Sequence, residues 1–136
     1  MSNYFKWEDN YTFNIAEIDA QHRHFVSILD SIYGSIINSA PKKEQGILLD
    51  SLVEYAVLHF KTEENYFDKF NYSGSNEHKE EHRKLKEKVL AFQKNFNEGQ
   101  KDISIELIDF LEDWLIDHLM VMDKKYVDFF HEKGLK

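Results

Sequence analysis

The chain has 136 residues, 42% hydrophobic and 15% aromatic, which is enough to bury one core of ordinary domain size. With 25 acidic against 17 basic residues it carries a net charge of −8 and has no basic cluster, excluding a nucleic-acid or anionic-membrane surface. Cysteine is absent, so disulfides, thiolate ligands and cysteine nucleophiles are excluded and any metal must be held by N and O donors. No apolar run approaches the ~18 residues of a membrane span. Residues 1–8 show no leader pattern, so a soluble, cytoplasmic protein is expected.

Residues 1–18 carry Trp7, Tyr11, Phe13, Ile15 and Ile18 without a sustained period and read as an extended arm laid over the domain. Asp19 reads as an N-cap. After it His22, Phe25, Leu29, Ile32 and Ile36 recur at steps of 3, 4, 3 and 4, which predicts an amphipathic helix over about 19–39. Pro41 marks the start of a second helix over about 41–70, where a first turn tolerates proline. Its stripe is Leu48, Leu52, Ala56, His59, Glu63, Phe67 and Phe70. Asn71, Tyr72, Ser73 and Gly74 form a turn, and Ser75 is placed to cap a third helix over about 75–98, with the stripe His78, His82, Leu85, Val89, Phe92 and Phe96. Asp102 starts a fourth, over about 102–131, with the stripe Ile108, Leu111, Leu115, His118 and Met122. Short connections force sequential helices to lie side by side, so the expected fold is all-α: one domain over 1–136, an antiparallel up-down-up-down four-helix bundle with an extended N-terminal arm.

The polar residues on these inward stripes are the informative ones. His59 and Glu63 are four apart, on one helical face, and an unpartnered carboxylate there costs several kcal/mol. Counting outward from the turns puts His22, His59, Glu63, His78, His82, His118 and Asp123 in one slab of the bundle. A single histidine on an apolar stripe is more often a hydrogen-bonded core residue than a ligand. Five of the chain's seven histidines at one level, on all four helices, with two carboxylates beside them, are not explained that way. His24 and His131 fall off the stripes and read as exposed, as do Glu64, Glu77, Glu80 and Glu81. Seven donors are too many for one ordinary site and suit two metals sharing the carboxylates. Five imidazoles and two carboxylates without thiolate fit iron best, with Mn, Zn or Co acceptable in vitro. The ferritin-like carboxylate class is disfavoured, because none of the histidines has a glutamate three residues before it.

These residues also carry a family resemblance. Trp7, Tyr11, Ile15 and the run Ile18-Asp19-Ala20-Gln21-His22, then His59-Phe60 with Glu63-Glu64, then His78 and His82, then Trp114-Leu115 with His118 and Asp123, together resemble the signatures of bacterial hemerythrins across nearly the whole chain. The resemblance implies reversible O2 binding at a non-haem di-iron centre. It assigns His78, His82 and His118 to one iron and His22 and His59 to the other, with Glu63 and Asp123 bridging beside a solvent-derived oxo or hydroxo group. On that assignment the three-histidine iron has six donors and the two-histidine iron five, so O2 is expected at the second.

Phe60, Trp114, Leu115 and Leu119 lie within a turn of a ligand or on the adjacent flank and are expected to form a dry O2 pocket. Relatives often have isoleucine where this chain has Leu119. His118 and Asp123 are five apart, about 140° around an ideal helix, which requires a local π-type widening or a long reach by Asp123. Asp19, Gln21 and Glu64 are the candidates to hold the far nitrogens of the histidines. The expected role is a non-enzymatic O2 carrier, store or buffer, a monomer with O2 as its ligand and an unidentified protein as recipient. An O2- or redox-responsive regulatory module and a di-iron oxidase, or a peroxide- or NO-consuming enzyme, are the alternatives.

Overall fold

A computed structural model describes residues 12–99, 109–114 and 118–136, with the backbone alone at Leu119 and Met120. Trp7, Tyr11, Asp102, Ile108 and Leu115 lie outside the described residues. The arm enters the bundle through a backbone reversal: Asn14 takes a left-handed φ of 61°, which Asn tolerates better than most residues. Ile15 is then extended, and helix α1 runs Ala16–Ile37. The helix thus begins three residues before Asp19, which is not its N-cap. The Asp19 carboxylate instead accepts the backbone N–H groups of Phe13 at 2.8 Å and Asn14 at 3.0 Å, pinning the arm onto the first turn.

Helix α2 runs Lys42–Phe70 with Pro41 in the N-cap position, and stops at Asn71 in the left-handed region. Helix α3 runs Ser75–Asn97; Gly74 precedes it, and Ser75 is its first helical residue rather than a side-chain cap. The fourth stretch departs most from expectation, because it is not one uniform α-helix. Residues 109–114 are α-helical (α4), His118–Met122 form a π-helical turn, Asp123–Tyr126 a 3₁₀ turn, and Val127–Glu132 return to α (α5).

The result is an all-α four-helix bundle with an extended N-terminal region, in which α1 packs on α2 and α2 on α3. Ile32, Leu49, Leu52, Val89, Phe96 and Leu111 are buried in one half. At the opposite end Phe67, Tyr72, Tyr126 and Phe130 meet as an aromatic cluster, with Phe67, Tyr126 and Phe130 at most 1% exposed. Between them lies the polar slab. Tyr66 donates a hydrogen bond to Glu17, tying α2 to the start of α1 beside it.

Candidate metal centre

The helical periods described above aim seven donors inward. His22 comes from α1, His59 and Glu63 from successive turns of α2, His78 and His82 from successive turns of α3. Their exposures are 0, 0, 0, 1 and 2%. His118 and Asp123, at 2% and 0%, complete the set from the fourth stretch. A π turn bonds residue i to i+5 and so brings onto one face two residues that an α-helix would splay apart. Of the two options open from the sequence, local widening is the one adopted. The 3₁₀ turn that follows eclipses residues three apart. It sets Tyr126 beside Asp123, and the Tyr126 hydroxyl donates to Glu63 Oε2.

The donor atoms fall into two overlapping groups. Glu63, His78, His82, His118 and Asp123 form one, His22, His59, Glu63 and Asp123 the other, with all donor atoms of a group within 4.8 Å of one another. Asp123 divides its oxygens: Oδ1 is 2.9 Å from His78 Nε2 and 2.7 Å from His118 Nε2, while Oδ2 is 3.0 Å from His22 Nε2. Glu63 Oε1 stands between the groups, 3.2 Å from His59 Nε2 and 3.1 Å from His82 Nε2.

These spacings test whether the residues fit a metal. Donors on adjacent corners of an octahedron with bonds of about 2.1 Å stand about 3 Å apart, and the closest imidazole–carboxylate pairs match that edge. Despite this proximity, Glu63 Oε1, both Asp123 oxygens and the Nε2 atoms of His78, His82 and His118 find no hydrogen-bond partner among the described residues. Nine-tenths or more of buried polar groups are normally satisfied, so a cluster of orphaned lone pairs facing one another is a site shaped for cations. The residues fit a dinuclear centre with N and O donors, which suits iron.

Without metal, the same proximity shows as shifted proton affinities. Burial opposes the charged form of His59, but the Glu63 and Asp123 carboxylates outweigh it and raise its pKa to about 9. His118 is raised likewise to about 10, burial again being overcome by Asp123 and Glu63. Burial also opposes ionisation of Glu63 and Asp123, yet the surrounding imidazoles hold both carboxyls well below their usual range. For His22 burial wins and its pKa falls. Burial, with Asp123 and Glu63, pushes the Tyr126 phenol well above its ordinary value, so it stays a donor.

Aromatic rings close the flanks. Phe60 stacks on His82 at 4.1 Å, and Trp114 stacks on His118 at 4.9 Å and meets Phe60 edge-on at 5.9 Å. Leu115 and the side chain of Leu119 lie outside the described residues. Two rings were not singled out from the sequence as pocket walls: Phe25, edge-on to His59 at 5.4 Å, and Phe13 from the arm, edge-on to His22 at 5.4 Å. Phe25 was legible as the residue one turn after His22, whereas Phe13 sits in a segment without period. Tyr126 was missed too; its signal, three residues after Asp123, means something only once a 3₁₀ turn is known. His24 and His131 are exposed, as expected. Glu64 is not a freely solvated acid, since it accepts from His82 Nδ1 at 2.8 Å.

Comparison with known proteins agrees with this geometry. The model of the hemerythrin HHE cation-binding domain matches residues 14–130. Similar proteins include a bacteriohemerythrin of Methylococcus capsulatus, 32% identical over 83% of this chain and 86% of that protein. Another is the bacteriohemerythrin of Clostridium acetobutylicum, 30% identical over 91% of this chain and 99% of that one. A crystal structure of wild-type hemerythrin superimposes with a TM-score of 0.87 at 29% identity, covering 93% of this chain and 97% of the other. A four-helix bundle with a buried histidine–carboxylate pair of sites defines a non-haem dinuclear metalloprotein, and within that class the chain belongs to the hemerythrin family. It binds O2 reversibly at a di-iron centre and is a carrier rather than an enzyme.

Proposed function

We propose that the chain stores, delivers or buffers O2. In this reading His78, His82 and His118 would hold one iron and His22 and His59 the other, with Glu63 and Asp123 placed to serve both. What carries it is the split of the Asp123 carboxylate, whose Oδ1 faces His78 and His118 and whose Oδ2 faces His22. An iron pair held there would supply the electrons for reversible O2 binding; the protein's own residues hold the pair and keep water from it. The two-histidine set is one donor short of the three-histidine set and would be the side left open to O2.

Tyr126 spends only one lone pair of Glu63 Oε2, and a carboxylate oxygen has a second. Glu63 would therefore still have a lone pair on each oxygen for metal while the phenol holds its angle. Phe25, Phe60 and Trp114 exclude water from the flank that His59, His82 and His118 share, and Leu115 and Leu119 are proposed to extend that wall. Excluding water from this flank keeps protons away from the side that would take O2, which would guard it against irreversible oxidation. Five neutral imidazoles against two carboxylates stabilise the oxidised pair less than an acid-rich site would, which favours release. No helix of the described residues is long and apolar enough to cross a membrane. A monomeric, cytoplasmic protein that hands O2 to a protein recipient is the form we propose.

The test is an optical spectrum of the iron-loaded, reduced protein through cycles of O2 addition and removal. A visible band that appears and disappears with the gas supports the reading. A band that decays within one cycle, and faster with reductant, would move the assignment to oxidase chemistry.

A further inference from the structure

The far sides of the two histidines closest to Glu63 are held by different chemistry. His82 Nδ1 lies 2.8 Å from Glu64 Oε2, on a side chain one-third exposed. His59 Nδ1 lies 2.8 Å from Gln21 Oε1, buried on α1. An amide could face a ring with either end, and an imidazole nitrogen can donate or accept. Here the ambiguity is removed two bonds away. Gln21 Nε2 is 3.0 Å from Thr62 Oγ1, and Thr62 Oγ1 is 3.0 Å from the carbonyl oxygen of Leu58. A carbonyl only accepts, so the Thr62 hydrogen points at Leu58 and the Thr62 oxygen is left to accept from Gln21. The Gln21 amide nitrogen therefore faces Thr62 and its oxygen faces His59. His59 must then donate from Nδ1, and in the neutral ring that a metal requires the Nε2 lone pair is the one left for the centre. Three hydrogen bonds run one way, anchored on a backbone carbonyl of the same helix that carries His59.

We propose that Gln21 and Thr62 are positioning residues that lock the tautomer of His59 and keep its outer partner neutral, making the two-histidine side electronically weaker than the side where Glu64 backs His82. This rests on the ligand assignment above. A carboxylate behind a ligating imidazole raises its basicity and favours the oxidised metal, and an amide does so less. The neutral partner thus sits on the side where O2 must leave. The charged one sits where the histidine set is already complete.

The experiment uses the full chain, loaded with zinc for nitrogen-15 NMR of the histidine rings and with iron for the midpoint potential and O2 release. His59→Ala tests the underlying assignment by metal count. In the zinc form, His59 should show a slowly exchanging Nδ1–H that survives in Thr62→Ser and exchanges faster in Thr62→Val. With iron, Gln21→Glu should keep two metals and the Nδ1–H, yet lower the midpoint potential and slow O2 release several-fold. Glu64→Gln should raise the potential. A purely structural role for Gln21 would leave the potential of a folded, two-metal Gln21→Glu protein unchanged, and that result would overturn the proposal. Should that variant not fold, the half-buried Thr62→Val decides alone: an unaltered Nδ1–H signal overturns the tautomer lock. If His59→Ala still holds two metals, the ligand assignment fails instead, whatever Thr62 and Gln21 do.

Discussion

The half of the bundle around Ile32, Leu49, Leu52 and Val89 and the slab around Glu63 and Asp123 are equally buried, yet they contribute oppositely to folding. Ile32 and Leu49 are 0% and 1% exposed, and Glu63 and Asp123 are both 0%. Removing the aliphatic side chains from water is favourable by roughly 25 cal/mol per Å² of apolar surface, with no further partner needed. Burying carboxylates and imidazoles costs several kcal/mol per charge unless something answers them. In the slab the answer is partly mutual, imidazolium against carboxylate, and completely so only with metal. The aliphatic half therefore specifies a bundle, and the slab makes the bundle conditional on its ions.

Removing a donor should break this contrast most. Glu63→Ala or His59→Ala is expected to lose two-metal loading and, with neighbouring groups left buried and unpaired, to destabilise by ~3–5 kcal/mol. His24→Ala and His131→Ala, both exposed, should keep two metals and wild-type stability; metal counts and urea unfolding on the four proteins test this. Leu52→Ala, in the other half, should cost ~2–5 kcal/mol through its cavity. It should do so equally with and without metal, since Leu52 lies about two helical turns before His59 on α2.

Next in size is the pH response of the stripped protein. His59 and His118 have raised pKa values, about 9 and about 10, so their stabilisation is complete below the ordinary histidine pKa near 6.5 and is lost as pH rises through those values. Glu63 and Asp123 are lowered, so theirs is present above the ordinary carboxylate range and lost as pH falls through their lowered values. Because the lowered pKa of His22 costs stability as pH falls below its ordinary value, the metal-free midpoint in urea should peak at roughly pH 6.5 and fall on both sides. Metal requires neutral imidazoles, so the loaded protein should lack the alkaline fall and its loading should release protons.

Two smaller effects sharpen the picture. Tyr126→Phe removes only the hydroxyl that holds Glu63 Oε2. It should leave two metals bound but weaken their retention about 10- to 100-fold, as measured by chelator competition. Phe25→Leu should cost only ~1 kcal/mol. By thinning the wall beside His59 it should shorten the number of O2 cycles survived before irreversible oxidation.

Much of this was readable in advance because ligand spacing and helical period are the same kind of information. His59 with Glu63, and His78 with His82, are each four residues apart, so helix geometry alone aims each pair at one point. Levelling the four stripes by loop length was enough to bring all seven donors together. Asp19 was misread because its residue type suits an N-cap; the left-handed Asn14 let the helix start earlier and turned Asp19 back onto the arm. Tyr126, Phe13 and the split between Gln21 and Glu64 depend on contacts across 63, 9, 38 and 18 residues of chain, where no local period reports.

What the sequence by itself determined was the helical bundle, the level of its polar slab and the chemistry of the donors, since each follows from residue type and a period of 3.6. The tertiary structure alone decided three further things: the π turn that swings Asp123 under His118, the phenol on Glu63, and the one-way chain from Leu58 to His59. Those depend on which lone pair faces which proton, a matter of distance and direction between elements that no pattern along one chain encodes.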